Sequence, residues 1–174
     1  MRAARGGAGA AATRAGDPEA AREAALRLLE RTGRTRADLA RRLHEQGFED
    51  AVVTAVLDRL AGVGLVDDVE YALAFLNERW GRRAAGRRRL EQELRKRGVA
   101  HPQVEQAFAR FEAAQGPADE LRLARRVAEQ AGRRYARLDA RTRRQRLYAL
   151  LARRGFDGYV IEQALRDDPP TSDD

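Results

Sequence analysis

Few residues in this chain could do covalent or metal chemistry. The two histidines, His44 and His101, sit in different parts of the sequence, and His44-Glu45 has no second histidine four residues from the first. The helical zinc pattern is therefore absent. Gly6-Gly7-Ala8-Gly9 follows no strand-forming run and lacks the Gly-Lys-Ser/Thr ending of a phosphate loop. There is no Gly-x-Ser-x-Gly elbow and no serine before Ser172, and cysteine is missing altogether. That removes a serine nucleophile, a disulfide framework and a thiolate metal site. Asp67-Asp68 could suggest a carboxylate pair, but it stands just before an apolar-periodic helix, where capping and the helix dipole account for it. The residues point away from an enzyme, and no catalytic, metal-binding or cofactor-binding residue is expected.

What remains is binding chemistry carried by cations. The formal net charge is +7, and Lys96 is the single lysine beside the arginines. One cluster is Arg82-Arg83, Arg87-Arg88-Arg89 and Arg95-Lys96-Arg97. The other is Arg133-Arg134, Arg137, Arg141, Arg143-Arg144 and Arg146, continuing to Arg153-Arg154. Both hold few acids, which favours a polyanion or an acidic protein face as partner over a merely solvated surface. If Leu90 and Leu94 point inward, a rotation of about 100° per residue turns Arg88, Gln92, Arg95 and Lys96 to solvent. Arg87 and Arg97 then flank the apolar stripe, where their stems can lie on it while the guanidinium heads reach water. Trp80 and Tyr135 lie beside the clusters and could stack on bases or simply pack between helices. The segments 35–62 and 86–114 resemble helix-turn-helix pairs in outline, without the features that fix a recognition helix in a major groove.

The elements that must position these cations are helices. Hydrophobic residues are 43%, aromatics only 6% and charged residues 35%, a balance suited to helices with thin apolar faces. One pattern recurs three times: Leu39, Leu43, Gly47, Val53, Leu57; then Leu90, Leu94, Gly98, Val104, Phe108; then Leu147, Leu151, Gly155, Ile161, Leu165. A fixed internal spacing at a period near fifty indicates one helical unit used repeatedly. Each glycine follows a helix end, where a left-handed residue closes the last turn at little cost. Asp17-Pro18-Glu19 opens the first helix, Gly33 ends it, and Thr35-x-x-Asp38 resembles a capping box opening the second. Asp50, His101-Pro102 and Gly158 mark the entry of the closing helix in each copy. Leading helices are predicted at about Asp68–Trp80 and Pro117–Gly132. The unit is thus a leader, a Leu-Leu-Gly helix and a closing helix. Neighbouring units are expected to share their apolar cores, since one unit buries little surface by itself.

The expected organisation is a basic tail at 1–16, repeats at 17–64, 65–115 and 116–167, and an acidic proline-broken tail at 168–174. No apolar stretch is long enough to cross a bilayer, and Met1–Gly16 lacks a signal-peptide core. A cytoplasmic monomer is expected.

The run Gly64-Leu65-Val66-Asp67-Asp68-Val69-Glu70-Tyr71-Ala72, then Phe75, then Leu90-Glu91-Gln92-Glu93-Leu94-Arg95-Lys96-Arg97-Gly98-Val99, closely resembles the RecX family of bacterial recombination regulators. Thr35, Leu39, Leu43, Gly47-Phe48 and Leu57-x-x-Leu60 look like that family's first repeat, so the resemblance spans about Ala24 to Leu165. It departs from the family in having Ala85-Gly86 before the basic helix and an extra arginine-containing amino-terminal tail. The resemblance implies an all-α fold of three tandem three-helix repeats, helix-turn-helix-like, in an elongated and curved arrangement. It also implies binding to the RecA recombinase and its nucleoprotein filament, damping recombination, ATP hydrolysis and co-protease activity, with roles in DNA repair and the SOS response. The basic faces are expected to meet acidic RecA surface, single-stranded DNA or both, with double-stranded DNA as a further candidate partner. Asp67, Asp68, Tyr71, Phe75, Leu90, Leu94 and Gly98 are family-motif positions read as mainly structural, whereas Arg88, Arg95 and Lys96 fall on the motif's basic helix.

Overall fold

The computed structural model describes residues 14–80, 85–115 and 119–166. Among them run nine α-helices: α1 Pro18–Leu29, α2 Arg36–Glu45, α3 Asp50–Gly62, α4 Asp68–Arg79, α5 Arg87–Lys96, α6 His101–Gln115, α7 Glu120–Gly132, α8 Ala140–Arg153 and α9 Gly158–Ala164. One 3-10 turn, Arg133–Tyr135, links α7 to the α8 loop. No described residue is in a strand. Helices α1–α3, α4–α6 and α7–α9 form three successive units. Of the expected tails, residues 1–13 and 168–174 lie outside the described residues, whereas 14–16 are described, and the Ala15 carbonyl accepts a hydrogen bond from the Glu49 amide at 3.0 Å.

The helix starts are written in side-chain caps. Asp17, Asp67, Asp119, Asp139 and Asp157 each accept from an amide of the first turn that follows. Thr35 caps α2 by accepting from the Asp38 amide. The Asp38 carboxylate does not return the bond, because Arg34, Arg41 and Arg42 occupy it. The capping box is therefore half formed.

The recurring glycine does the same work in all three units. Gly47, Gly98 and Gly155 have φ of 89°, 84° and 84°, a left-handed conformation that costs an L side chain about 1 kcal/mol or more. Each ends the middle helix in a Schellman motif. The glycine amide donates to the carbonyl three residues back, and the next amide to the leucine five back: Phe48 to Leu43, Val99 to Leu94 and Phe156 to Leu151. Those three following residues are buried at 2–4% exposure, so the reversal also delivers an apolar side chain to the core. Leucine, turn and apolar plug form one local device.

The cores are separate. Leu39, Leu43, Phe48, Val53 and Leu57 cluster with the alanines of α1. Leu90, Leu94, Val99, Val104 and Phe108 cluster with Phe75 and Leu76 of α4. Leu147, Leu151, Phe156 and Ile161 cluster with Leu123 and Val127 of α7. The extensive helix packing also falls inside units. Core sharing between neighbours, expected from the small size of one unit, is thus not how they are joined.

They are joined by hydrogen bonds to backbone groups. At the first joint the Thr35 hydroxyl donates to the Arg97 carbonyl at 2.7 Å, and the Arg36 amide donates to Asp68 Oδ1 at 2.8 Å. At the second, the Gly86 amide donates to the Arg154 carbonyl at 2.9 Å, and the Arg87 amide to Glu120 Oε1 at 2.6 Å. The residues correspond one for one along the repeat. The head of each middle helix meets the tail of the next, and the acid opening the next leader caps that head from outside. Burial pushes the carboxyls of Asp68 and Glu120 above the usual range, against the opposing pull of the amides they accept from.

Close approach fixes the small residues here. A Cβ on Gly98 would collide with Ala37, and one on Gly86 would meet the Gly155 carbonyl at 2.5 Å. Nothing lies within 4 Å of a Cβ built on Gly47. Gly47→Ala therefore costs only backbone strain, about 1–2 kcal/mol. Gly98→Ala adds the collision with Ala37, and urea denaturation should show the larger loss for it. Asp68→Ala and Glu120→Ala should each cost about 1–3 kcal/mol by stranding a partly buried amide. Hydrogen exchange should then quicken at Arg36 in the first variant and Arg87 in the second.

Candidate nucleic-acid and partner interface

The arginines that look alike in sequence have different work in the structure. Arg87 sits half-buried over the Phe108 ring at 4.3 Å, with Glu91 at 2.7 Å, Glu105 at 2.8 Å and Glu112 at 3.4 Å. Burial opposes its charge, but Glu91 and Glu105 outweigh burial and raise its pKa above the ordinary arginine value. Arg97 lies over the Phe75 ring at 5.1 Å, with Arg79 over the same ring at 4.6 Å. Arg144 donates to the Leu165 carbonyl at 2.8 Å, tying α8 to the end of α9. These cations brace units two and three, Arg87 half-buried and Arg97 and Arg144 from the exposed surface.

The α5 residues turned outward are Arg88, Gln92, Arg95 and Lys96, all exposed, as the helical register predicts. Among the described residues Arg88 pairs with Asp157 alone, at 3.8 Å between two largely exposed side chains, a pair of little energetic weight. Arg95 reaches His101 Nδ1 at 3.3 Å. Arg89 pairs with Glu93 at 3.3 Å. Arg133 and Arg134 on the 3-10 turn, Arg137 on the approach to α8 and Arg141 in its first turn are exposed, while Arg143 is half-buried. Arg82 and Arg83 lie outside the described residues.

The structure brings part of the two clusters together. A cleft of about 420 Å³ between units two and three is lined by Arg88, Arg89, Gln92, Glu93 and Lys96 of α5 and by Tyr148, Ala152 and Arg153 of α8, with Gly155, Phe156, Gly158 and Ile161 beneath. Arg133, Arg134, Arg137 and Arg141 do not line it. A second cleft, against α4, carries the opposite sign through Asp67, Glu70 and Glu78. Tyr148 is not part of the arginine pattern. Its register reveals it: one residue past the inward Leu147, it must leave the apolar stripe. The aromatics beside the clusters do not face the cleft. Trp80 packs edge-on to Phe108 at 6.5 Å and tilted to Phe111 at 5.6 Å, and Tyr135 packs on the core of unit three.

The motif residues lie in the scaffold. Leu90 and Leu94 are buried in the core of unit two, as is Phe75. Asp67 caps α4, Asp68 caps α2 across the joint, and Gly98 turns the chain against Ala37. Tyr71 packs half-buried on the unit-two core, facing Gly33.

Unit one gives the control for charge. At the α2 positions matching Arg88, Arg89 and Lys96 stand Ala37, Asp38 and Glu45. Burial raises the Asp38 carboxyl, but hydrogen bonds from Arg42, Arg34 and Arg41 outweigh it and bring the pKa to about 2. Arg41 also binds Glu45 at 2.5 Å, so this face is neutralised internally. Among the described residues, no group of acids and histidines could hold a metal ion, and no helix is long and apolar enough to cross a membrane.

Comparison with known proteins agrees with this three-unit construction. Residues 21–60 match the family model described as the first three-helix domain of RecX, 67–107 the second and 118–165 the third. The regulatory protein RecX of Thermobifida fusca is 38% identical over 149 residues, covering 85% of this chain and 78% of its own. That of Mycobacterium avium is 40% identical over 139 residues, covering 79% and 78%. The crystal structure of RecX from Lactobacillus salivarius superposes with a TM-score of 0.77 at 19% identity, covering 86% of this chain and 95% of that one. A second crystal structure of regulatory protein RecX gives 0.76 at 25% identity, covering 96% and 81%.

Adjacent arginines should respond differently to removal. Arg87→Ala strands Glu91 and uncovers Phe108, so thermal or urea denaturation should show a loss of about 1–3 kcal/mol. Arg88→Ala should change stability by no more than about 0.5 kcal/mol.

Proposed function

The chain belongs to the RecX family, and from that membership we propose a non-enzymatic regulator that binds the RecA recombinase and its nucleoprotein filament. In this reading it inhibits or modulates recombination, RecA ATP hydrolysis and co-protease activity. It acts as a monomer in the cytoplasm, in DNA repair and the SOS response. The observation that carries the reading is the outward face of α5. Arg88, Arg95 and Lys96 are exposed there with little internal compensation, whereas the matching face of unit one is neutralised by its own acids. A face that the fold does not need in charged form is a face available to a partner. The partner of such a face is acidic protein surface, nucleic acid phosphate, or both.

The head-to-tail joints suit this task. They hold successive faces in fixed order along a series, so one chain can touch more than one subunit of a repeating filament. Contacts so linked add through effective concentration, and binding can be firm without a deep pocket.

A second reading is a protein that acts by coating DNA, favoured by the exposed Arg133, Arg134, Arg137 and Arg141. It requires bare DNA to bind as tightly as filaments, with affinity falling steeply as salt rises.

The deciding experiment titrates the chain into a RecA DNA-dependent ATPase assay at substoichiometric amounts. Inhibition is expected, and no effect at any ratio would refute the regulator reading. Arg88→Glu, Arg95→Glu and Lys96→Glu together should weaken the effect by about tenfold or more through like-charge repulsion, with the circular-dichroism spectrum unchanged.

A further inference from the structure

The cleft between α5 and α8 carries a more specific chemistry than a basic face. We propose that it seats single-stranded nucleic acid, with Tyr148 stacking on a base and Arg88, Lys96 and Arg153 holding the flanking phosphates. The inference rests on the regulator reading only for the setting in which the strand is met.

The charge in the cleft is not needed by the fold. Glu93, the acid among its lining residues, is held by Arg79 at 2.8 Å and by Arg89 at 3.3 Å. That leaves Arg88, with its weak contact to Asp157, and Lys96 and Arg153, which have no acid within salt-bridge distance among the described residues. The joint beneath the cleft is made of backbone groups and Glu120, with a long contact from Arg89 to the Arg153 carbonyl at 3.5 Å, and the Lys96 and Arg153 side chains take no part in it. The first joint is built in the same way beside Ala37, Asp38 and Glu45. The same geometry therefore forms with or without a basic wall. The basic wall of the second copy answers to a ligand.

Tyr148 decides which ligand. Its side chain is not part of the unit-three core, and the residue is 41% exposed in the cleft lining. The wall by its hydroxyl is Gly158, which has no side chain to cover the ring. An acidic peptide would be satisfied by the cations alone. A strand of nucleotides uses both parts, because every base has a face to stack and every linkage a phosphate to neutralise. Stacking of this kind tolerates any sequence, and the volume of about 420 Å³ falls within the range of ligand clefts.

The test is fluorescence anisotropy of a labelled oligothymidylate with the full chain at fixed salt and without recombinase. Tyr148→Ala should weaken binding about tenfold, while Tyr148→Phe, which keeps the ring, should stay within about twofold. Lys96→Glu should weaken it about tenfold and flatten the dependence of affinity on salt. Arg27→Glu makes the same charge change on exposed α1 and should have no more than about a twofold effect. Wild-type affinity in Tyr148→Ala, or equal losses in the alanine and phenylalanine variants, would overturn the assignment. If Lys96→Glu weakens filament binding but leaves oligothymidylate binding unchanged, the cleft takes an acidic protein face and the nucleic-acid proposal fails. The regulator reading fails separately, by absence of any wild-type effect on the ATPase.

Discussion

Everything in this molecule depends on how the amides at the head of a middle helix find acceptors. An α-helix begins with backbone donors that have no partner inside the helix. In α5 the N-cap is Gly86, which makes no side-chain cap bond. A side chain there would run into the Gly155 carbonyl, so the site cannot carry its own cap while the units touch. The acceptors come from outside: Glu120 takes the Arg87 amide, and the Gly86 amide itself binds the Arg154 carbonyl. At α2 the same bargain is struck differently. Thr35 caps its own helix and also reaches Arg97, while Asp68 takes the Arg36 amide. Order in the series and satisfaction of helix ends are one constraint.

The architecture was legible because its signals are local. Leucine, glycine and the following apolar residue are joined by hydrogen bonds within a single turn, so a fixed spacing reports a fixed structure. The joints were not legible. Asp68 and Glu120 stand in the first turn of a leader, where an acid ordinarily serves its own helix dipole. Only their position against the preceding unit gives them a second acceptor role. The same limit explains the cores. Composition indicates that each is thin, but it cannot show that polar backbone contacts, not shared leucines, connect the units.

The candidate site was legible to the resolution of a helical face. Register placed Arg88, Arg95 and Lys96 outward and left Arg87 and Arg97 beside the stripe. It could not show that Arg87 lies over Phe108 among three glutamates, because those acids come from α5 and α6 together. Nor could it place Arg153 and Lys96, which are far apart in sequence, in the lining of one cleft across a joint. Trp80 and Tyr135 draw attention by being aromatic near arginines, yet their surroundings are apolar. Tyr148 sits among the same kinds of neighbours in sequence and lines the cleft instead.

The series has a direction, since each joint runs from the head of one middle helix to the tail of the next. Leaders two and three open with Asp68 and Glu120, whereas the first opens with Pro18, which has no acid to reach backward. At the other end α8 starts from Asp139, capped by its own side chain. The two joints are therefore unequal as levers. A small rotation about Thr35 and Arg97 swings units two and three as one arm, while the same rotation about Gly86 and Arg154 swings unit three alone. With unit one held on a partner, the longer arm turns an angular error at the first pivot into the larger displacement at the far tip; with unit three held, the second pivot takes that role.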